Sequence, residues 1–144
     1  MSTATYFVGI GCRRDCPEKS LRKVLQQALS ACGITIEQIE GLASIDTKKD
    51  EAGLLELAQS LTIPLSFFPA EHLNTFSNRV SDPSANVLET TGTQSVAEAS
   101  ALALALALAD TRGELPKLIV NKLKNSDATC AVARINLSVK RDPA

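Results

Sequence analysis

The sequence predicts a three-layer α/β/α domain whose mixed, mostly parallel sheet of about five strands ends in an antiparallel C-terminal pair. Three observations predict it. Short apolar runs alternate with helix-length stretches through the first half of the chain, as when parallel strands are joined through helices. One segment, Ala101 to Ala109, is built of alternating Ala and Leu and reads as a helix buried on nearly every side. The last two apolar runs are separated only by Asn125-Ser126-Asp127, a connection short enough to force antiparallel pairing. At 144 residues the chain is expected to form one domain over 1–144, with a core at 5–136 and a tail at 137–144.

The first strand is the run Tyr6-Phe7-Val8-Gly9-Ile10. Leu21, Val24, Leu25, Ala28, Leu29 and Cys32 recur at steps of three and four, which predicts a helix beginning near Pro17. Asp15 and Glu18 are spaced as a capping box for it, and Gly33 supplies the residue that tolerates a left-handed end. The stretch Ile34 to Ile39 is ambiguous. Gly41 to Ile45 reads as a second strand, Asp50 to Leu61 as a second helix, and Pro64 to Phe68 as a third strand. Pro69 to Pro83 is polar and turn-rich, with one short helical turn expected inside a long loop. Ser84 to Glu89 reads as another short helix.

Two signals conflict at Ala101 to Ala109. The alternation has the period of a strand, yet Ala and Leu are strong helix formers, and Ser95 with Glu98 offers a capping box just ahead. The helix reading prevails, and the helix is expected against the sheet at the heart of the domain. Leu118 to Lys124 and Thr129 to Ile135 form the closing strand pair, and Lys140 to Ala144 is expected to fray.

Composition removes several functions. A net charge of −1, no Trp and one Tyr do not make the basic, ring-bearing face of a nucleic-acid binder. There is no basic segment leading into an apolar one at the N-terminus, and no run of about 20 apolar residues. Four cysteines at 12, 16, 32 and 130 are too sparse for a disulfide framework and read as reduced thiols. The expectation is a cytoplasmic protein with neither a membrane nor a nucleic-acid partner.

Candidate chemistry gathers at Gly9-Ile10-Gly11-Cys12-Arg13-Arg14-Asp15-Cys16-Pro17, where a strand passes through a glycine-bearing turn into a helix N-terminus. The turn is not a dinucleotide fingerprint, because Arg14 stands at the third glycine position. A phosphate-cradling loop with its Gly-Lys-Ser/Thr ending is also missing. Cys12, Cys16 and His72 are too few for a structural zinc, so no metal and no cofactor are expected. The helix end and two arginines are expected to lower the Cys12 thiol pKa. Asp46, Lys48 and Lys49 follow the second strand and should emerge at the same carboxyl edge as Arg13 and Arg14. Lys122 is placed to extend this positive rim. Thr91, Gly92 and Ser95 lead into the buried helix and offer a second anion-binding terminus. Gly11, Cys12, Arg13, Arg14, Asp46, Lys48, Lys49, Thr91, Gly92, Ser95 and Lys122 are therefore the expected ligand contacts. The available general bases are Asp46, His72 and Glu98.

Five segments in order make a resemblance: Gly9-Ile10-Gly11-Cys12-Arg13-Arg14; Ala43-Ser44-Ile45-Asp46-Thr47-Lys48-Lys49-Asp50-Glu51-Ala52-Gly53-Leu54; Phe67-Phe68-Pro69-Ala70-Glu71; Thr91-Gly92-x-x-Ser95-Val96-Ala97-Glu98; and Ala128-Thr129-Cys130-Ala131-Val132-Ala133-Arg134. From about residue 5 to 136 the chain resembles the CobE family and the homologous C-terminal domain of CbiG proteins, and in length it is most similar to the stand-alone CobE type. The resemblance implies a role near the ring-contraction stage of corrin synthesis, with a precorrin or corrinoid intermediate as partner and other cobalamin-pathway enzymes as further ones. Full CbiG proteins open a δ-lactone on a cobalt-precorrin. Two roles follow: a binder that holds or hands on an intermediate, or a hydrolase or lyase acting on a ring lactone or a carbon–carbon bond.

Overall fold

The computed structural model describes residues 2–75, 96–108, 116–124 and 127–138. In chain order these form β1 (Ser2–Cys12), α1 (Glu18–Cys32), β2 (Ile39–Ile45), α2 (Ala52–Leu61), β3 (Leu65–Phe68), α3 (Ala70–Asn74), α4 (Val96–Leu108), β4 (Lys117–Lys124) and β5 (Ala128–Ser138). The strands make one sheet in the order β3-β2-β1-β5-β4. β1, β2 and β3 are parallel, and β5 is antiparallel to both β1 and β4. Four strands thus share one direction, and β5 alone opposes them.

Alternation along the strands feeds two cores. Val8 and Ile10 of β1, with Cys130 and Val132 of β5, pack beneath Leu21, Val24, Leu25 and Ala28 of α1 and Leu54 and Leu57 of α2. Phe7, Ala43 and Ala133 point to the other face, against Ala101, Leu102 and Leu104 of α4. α4 crosses all five strands and every residue from Val96 to Ala105 is buried, so the Ala/Leu alternation is the composition of a central helix. The small residues let that helix approach closely. A Cβ on Gly9 would lie 1.9 Å from the Ala97 carbonyl oxygen, so only glycine permits this spacing.

The helix ends follow local chemistry. Gly33 adopts φ 72° and closes α1 by donating from its N–H to the Leu29 and Ser30 carbonyls. Thr62 takes the same left-handed conformation at the end of α2, with φ 58°. The expected Asp15–Glu18 capping box does not form. Pro17 occupies the cap position without a side-chain bond, and Asp15, two residues earlier, turns to φ 60° with its N–H donated to Glu51 Oε1 at 2.8 Å. β1 is longer than the apolar run indicates because β5 pairs with it from Ser2↔Ser138 to Cys12↔Ala128. Ile34–Ile39 resolves into a 3₁₀ turn at Ile36–Gln38 running into β2. The expected helix at Ser84 to Glu89 and the frayed end at Lys140 to Ala144 lie outside the described residues.

Candidate functional site at the carboxyl edge of the sheet

Because β1, β2 and β3 are parallel, Cys12, Ile45 and Phe68 all terminate at one edge. β5 runs the opposite way, so its first residue, Ala128, pairs with Cys12, and the β4–β5 connection reaches the same edge. α4 begins there too. A Cβ on Gly11 would meet the Val96 side chain at 3.5 Å and Thr129 Oγ1 at 2.7 Å, so packing accounts for the missing side chain at Gly11. The loop after β1, the 3₁₀ turn Asp46–Lys48, the start of α3, the start of α4 and Asp127 converge there.

The loop is tied at several points. Arg13 Nε donates to Asp127 Oδ1 at 2.6 Å, and the Arg13 backbone N–H donates to the Asp127 carbonyl at 3.0 Å. Ser20 Oγ, in the first turn of α1, donates to Asp127 Oδ2 at 2.7 Å. The loop after β1 and the first turn of α1 therefore meet a carboxylate more than 100 positions away in sequence. These donors, Ser20 first and then Arg13, hold the Asp127 carboxyl below its ordinary pKa, and the same pairing raises that of Arg13. On the opposite side Glu51, just ahead of α2, holds the Asp15 N–H.

Cys12 and Cys16 flank the loop, and the Cys16 thiol donates to the Pro17 carbonyl at 3.7 Å. The expectation of a lowered thiol pKa at Cys12 is overturned: burial, then the neighbouring Cys16, push it up to about 11, against a lowering influence from Lys48. The buried Cys16 thiol is likewise raised, first by burial and then by Asp127. Lys48 is half-buried and its charge reaches both thiols, whereas Arg14 and Lys49 are exposed. Thr91, Gly92 and Ser95 lie outside the described residues. Lys122 belongs to β4, two residues before its end, and its side chain is likewise outside them.

The three base candidates do not share one setting. Glu98 is fully buried in the first turn of α4. His72 is exposed on α3, with its ring stacked on Phe68 at a centroid distance of 5.5 Å. Asp46 is half-buried and its carboxylate has no hydrogen-bond partner among the described residues. Among those residues no group of three or more His, Cys, Asp or Glu is placed to hold a metal ion, and no helix is long and apolar enough to cross a membrane. Sequence reasoning missed Ser20, Glu51 and Asp127. Asp127 left a signal as a turn residue between two strands, and Glu51 stands inside one of the five resembling segments.

Comparison with known proteins agrees along nearly the whole chain. The family model described as "Cobalamin synthesis G C-terminus" matches residues 6–133. Protein CobE of Sinorhizobium sp is 32% identical over 130 residues, which covers 90% of this chain and 80% of that protein. The cobalt-precorrin-5A hydrolase of Priestia megaterium is 30% identical over 128 residues, but these are 89% of this chain and only 32% of the hydrolase. A crystal structure of CobE, a protein from the cobalamin (vitamin B12) biosynthetic pathway, superposes with a TM-score of 0.84 at 40% identity, covering 92% of this chain and 91% of that one. The chain belongs to the cobalamin synthesis G C-terminal family, and is a cobalamin biosynthesis protein of the CobE/CbiG type.

Proposed function

We propose that this chain binds an anionic precorrin or corrinoid intermediate near the ring-contraction stage and holds it or hands it to the next cobalamin-pathway enzyme, acting as a single cytoplasmic domain. The observation that carries this reading is the convergence of Arg13, Arg14, Lys48 and Lys49 at the carboxyl edge of three parallel strands. Corrin precursors carry acetate and propionate carboxylates around a flat apolar macrocycle. Guanidinium and ammonium groups on one rim are suited to those carboxylates, and open α/β sheets take ligands at this edge. On β3, half-buried Leu65 and Phe67 face one side of the sheet and half-buried Phe68 the other, so either side of this edge offers apolar surface for the ring face.

A second reading, lactone hydrolysis, is supported by the relatives named cobalt-precorrin-5A hydrolase, of which this chain spans 32% or 41% in two cases. Hydrolysis needs a positioned base and donors for the oxyanion. Asp46 has no hydrogen-bond partner among the described residues, His72 is exposed and stacked on Phe68, and Glu98 is fully buried in α4, so the three base candidates do not gather into such a set and binding is the favoured role. The test is to supply purified protein anaerobically with successive corrin-pathway intermediates, then follow co-elution, absorbance and mass. An unchanged pigment that co-elutes, and is lost when Arg13 and Arg14 become Ala, supports the binder. Catalytic change of mass would establish the enzyme instead. Failure to retain or alter any intermediate would overturn both.

A further inference from the structure

Arg13 is held by one edge only. Its side chain is 62% exposed while that of Asp127 is 17% exposed, so the acid is sheltered and the base projects from it. Only Nε of the guanidinium is engaged, on Asp127 Oδ1; the two Nη groups make no bond to a described residue. Asp127 is itself fixed. Its second oxygen accepts from Ser20 on α1, and its carbonyl accepts the Arg13 backbone N–H. A guanidinium donates through two edges, and the Nη pair alone suffices for a two-pronged bond to a carboxylate.

We propose that Asp127 is a positioning residue for anion recognition, and that by occupying the Nε edge of Arg13 it presents the Nη fork outward to receive one ligand carboxylate. This assignment rests on the reading of the site as a receptor for a polycarboxylate corrinoid. Ser20 is the third member, since it fixes the carboxylate that fixes the arginine. Asp127 has two effects of opposite sign on an incoming anion. Its charge repels the ligand, while its geometry spares Arg13 the ordering cost of forming the pair. Positioning is the larger effect, because the guanidinium otherwise stands mostly in water.

The sign of that balance is measurable with cobyrinic acid, a stable corrin bearing free carboxylates, titrated by absorbance into wild type and variants at fixed ionic strength. Arg13→Ala should weaken binding about tenfold. Asp127→Ala should weaken it severalfold in the wild-type background and not at all in the Arg13→Ala background, since Asp127 acts only through Arg13. Asp127→Asn retains an oxygen for Nε and drops the charge, so it should bind as well as wild type or better. It also serves where Asp127→Ala fails to fold.

Tighter binding by Asp127→Ala would make Asp127 a neutraliser and overturn the proposal. A loss that persists without Arg13 would make it merely structural, with the same result. Wild type that binds cobyrinate with Arg13→Ala unchanged would overturn this inference alone. Wild type that binds no corrin carboxylate would overturn the functional reading together with it.

Discussion

Gly9 of β1 lies directly under α4: a Cβ there would stand 1.9 Å from the Ala97 carbonyl oxygen and 2.6 Å from the Ala101 nitrogen. Both obstacles are helix backbone, which no side-chain rotation relieves. Gly9→Ala must therefore lift α4 from the strand it covers most closely, loosening the Phe7, Leu102 and Leu104 core. The expected cost is about 3 kcal/mol or more. Urea unfolding followed by circular dichroism checks it, and a loss below about 1 kcal/mol would refute the close-packing account.

The two left-handed helix ends make a reciprocal pair. At Gly33, φ 72° leaves open space around a built Cβ, so Gly33→Ala introduces backbone strain without collision. It should cost about 1 kcal/mol. Thr62 already carries a β-branched side chain at φ 58° and is exposed. Thr62→Gly should relieve that strain and gain about 0.5 to 1 kcal/mol. Thermal melts of the two variants should move in opposite directions; movement the same way would contradict the assigned caps.

The contrast shows what the sequence discloses. Gly33 was legible because a helix end is a local event, and α4 because propensity and flanking context outweigh the period of Ala and Leu. The convergence of Arg13 with Asp46 and Lys48 followed from parallel strands sharing one edge. The partnership of Arg13 with Asp127 was not legible, since 114 positions separate them and the antiparallel insertion of β5 beside β1 brings them together. The thiol at Cys12 was misread for the same reason. Helix end and arginines are visible in the chain, whereas the burial that dominates is a property of the packed edge.

That burial has a kinetic consequence. With the Cys12 pKa pushed up to about 11, only about a thousandth of the thiol is thiolate at pH 8. Alkylation by iodoacetamide should be slow and should rise about tenfold per pH unit from 7 to 9 without levelling. Cys130, fully buried and pushed up to about 12, should react only after unfolding. Peptide mass spectrometry of native and urea-treated protein reads both. A plateau below pH 9 at Cys12 would restore the lowered pKa expected from sequence and contradict the packed edge.

Two fully buried serines should respond to Ala with opposite signs. Ser44 Oγ donates to the Ile10 carbonyl at 2.6 Å, just beyond the last paired residues of β1 and β2, Gly9 and Ala43. Removing that hydroxyl strips the bond and leaves the carbonyl without this donor in a dry interior, at a cost of about 1 to 2 kcal/mol. Ser100 Oγ on α4 is also fully buried but has no hydrogen-bond partner among the described residues. Its desolvation is uncompensated, so Ser100→Ala should stabilise the fold by about 1 kcal/mol. Parallel denaturant titrations decide the matter: equal destabilisation by both substitutions would mean that Ser100 finds a partner in solution, and that α4 carries a polar contact within its apolar surroundings.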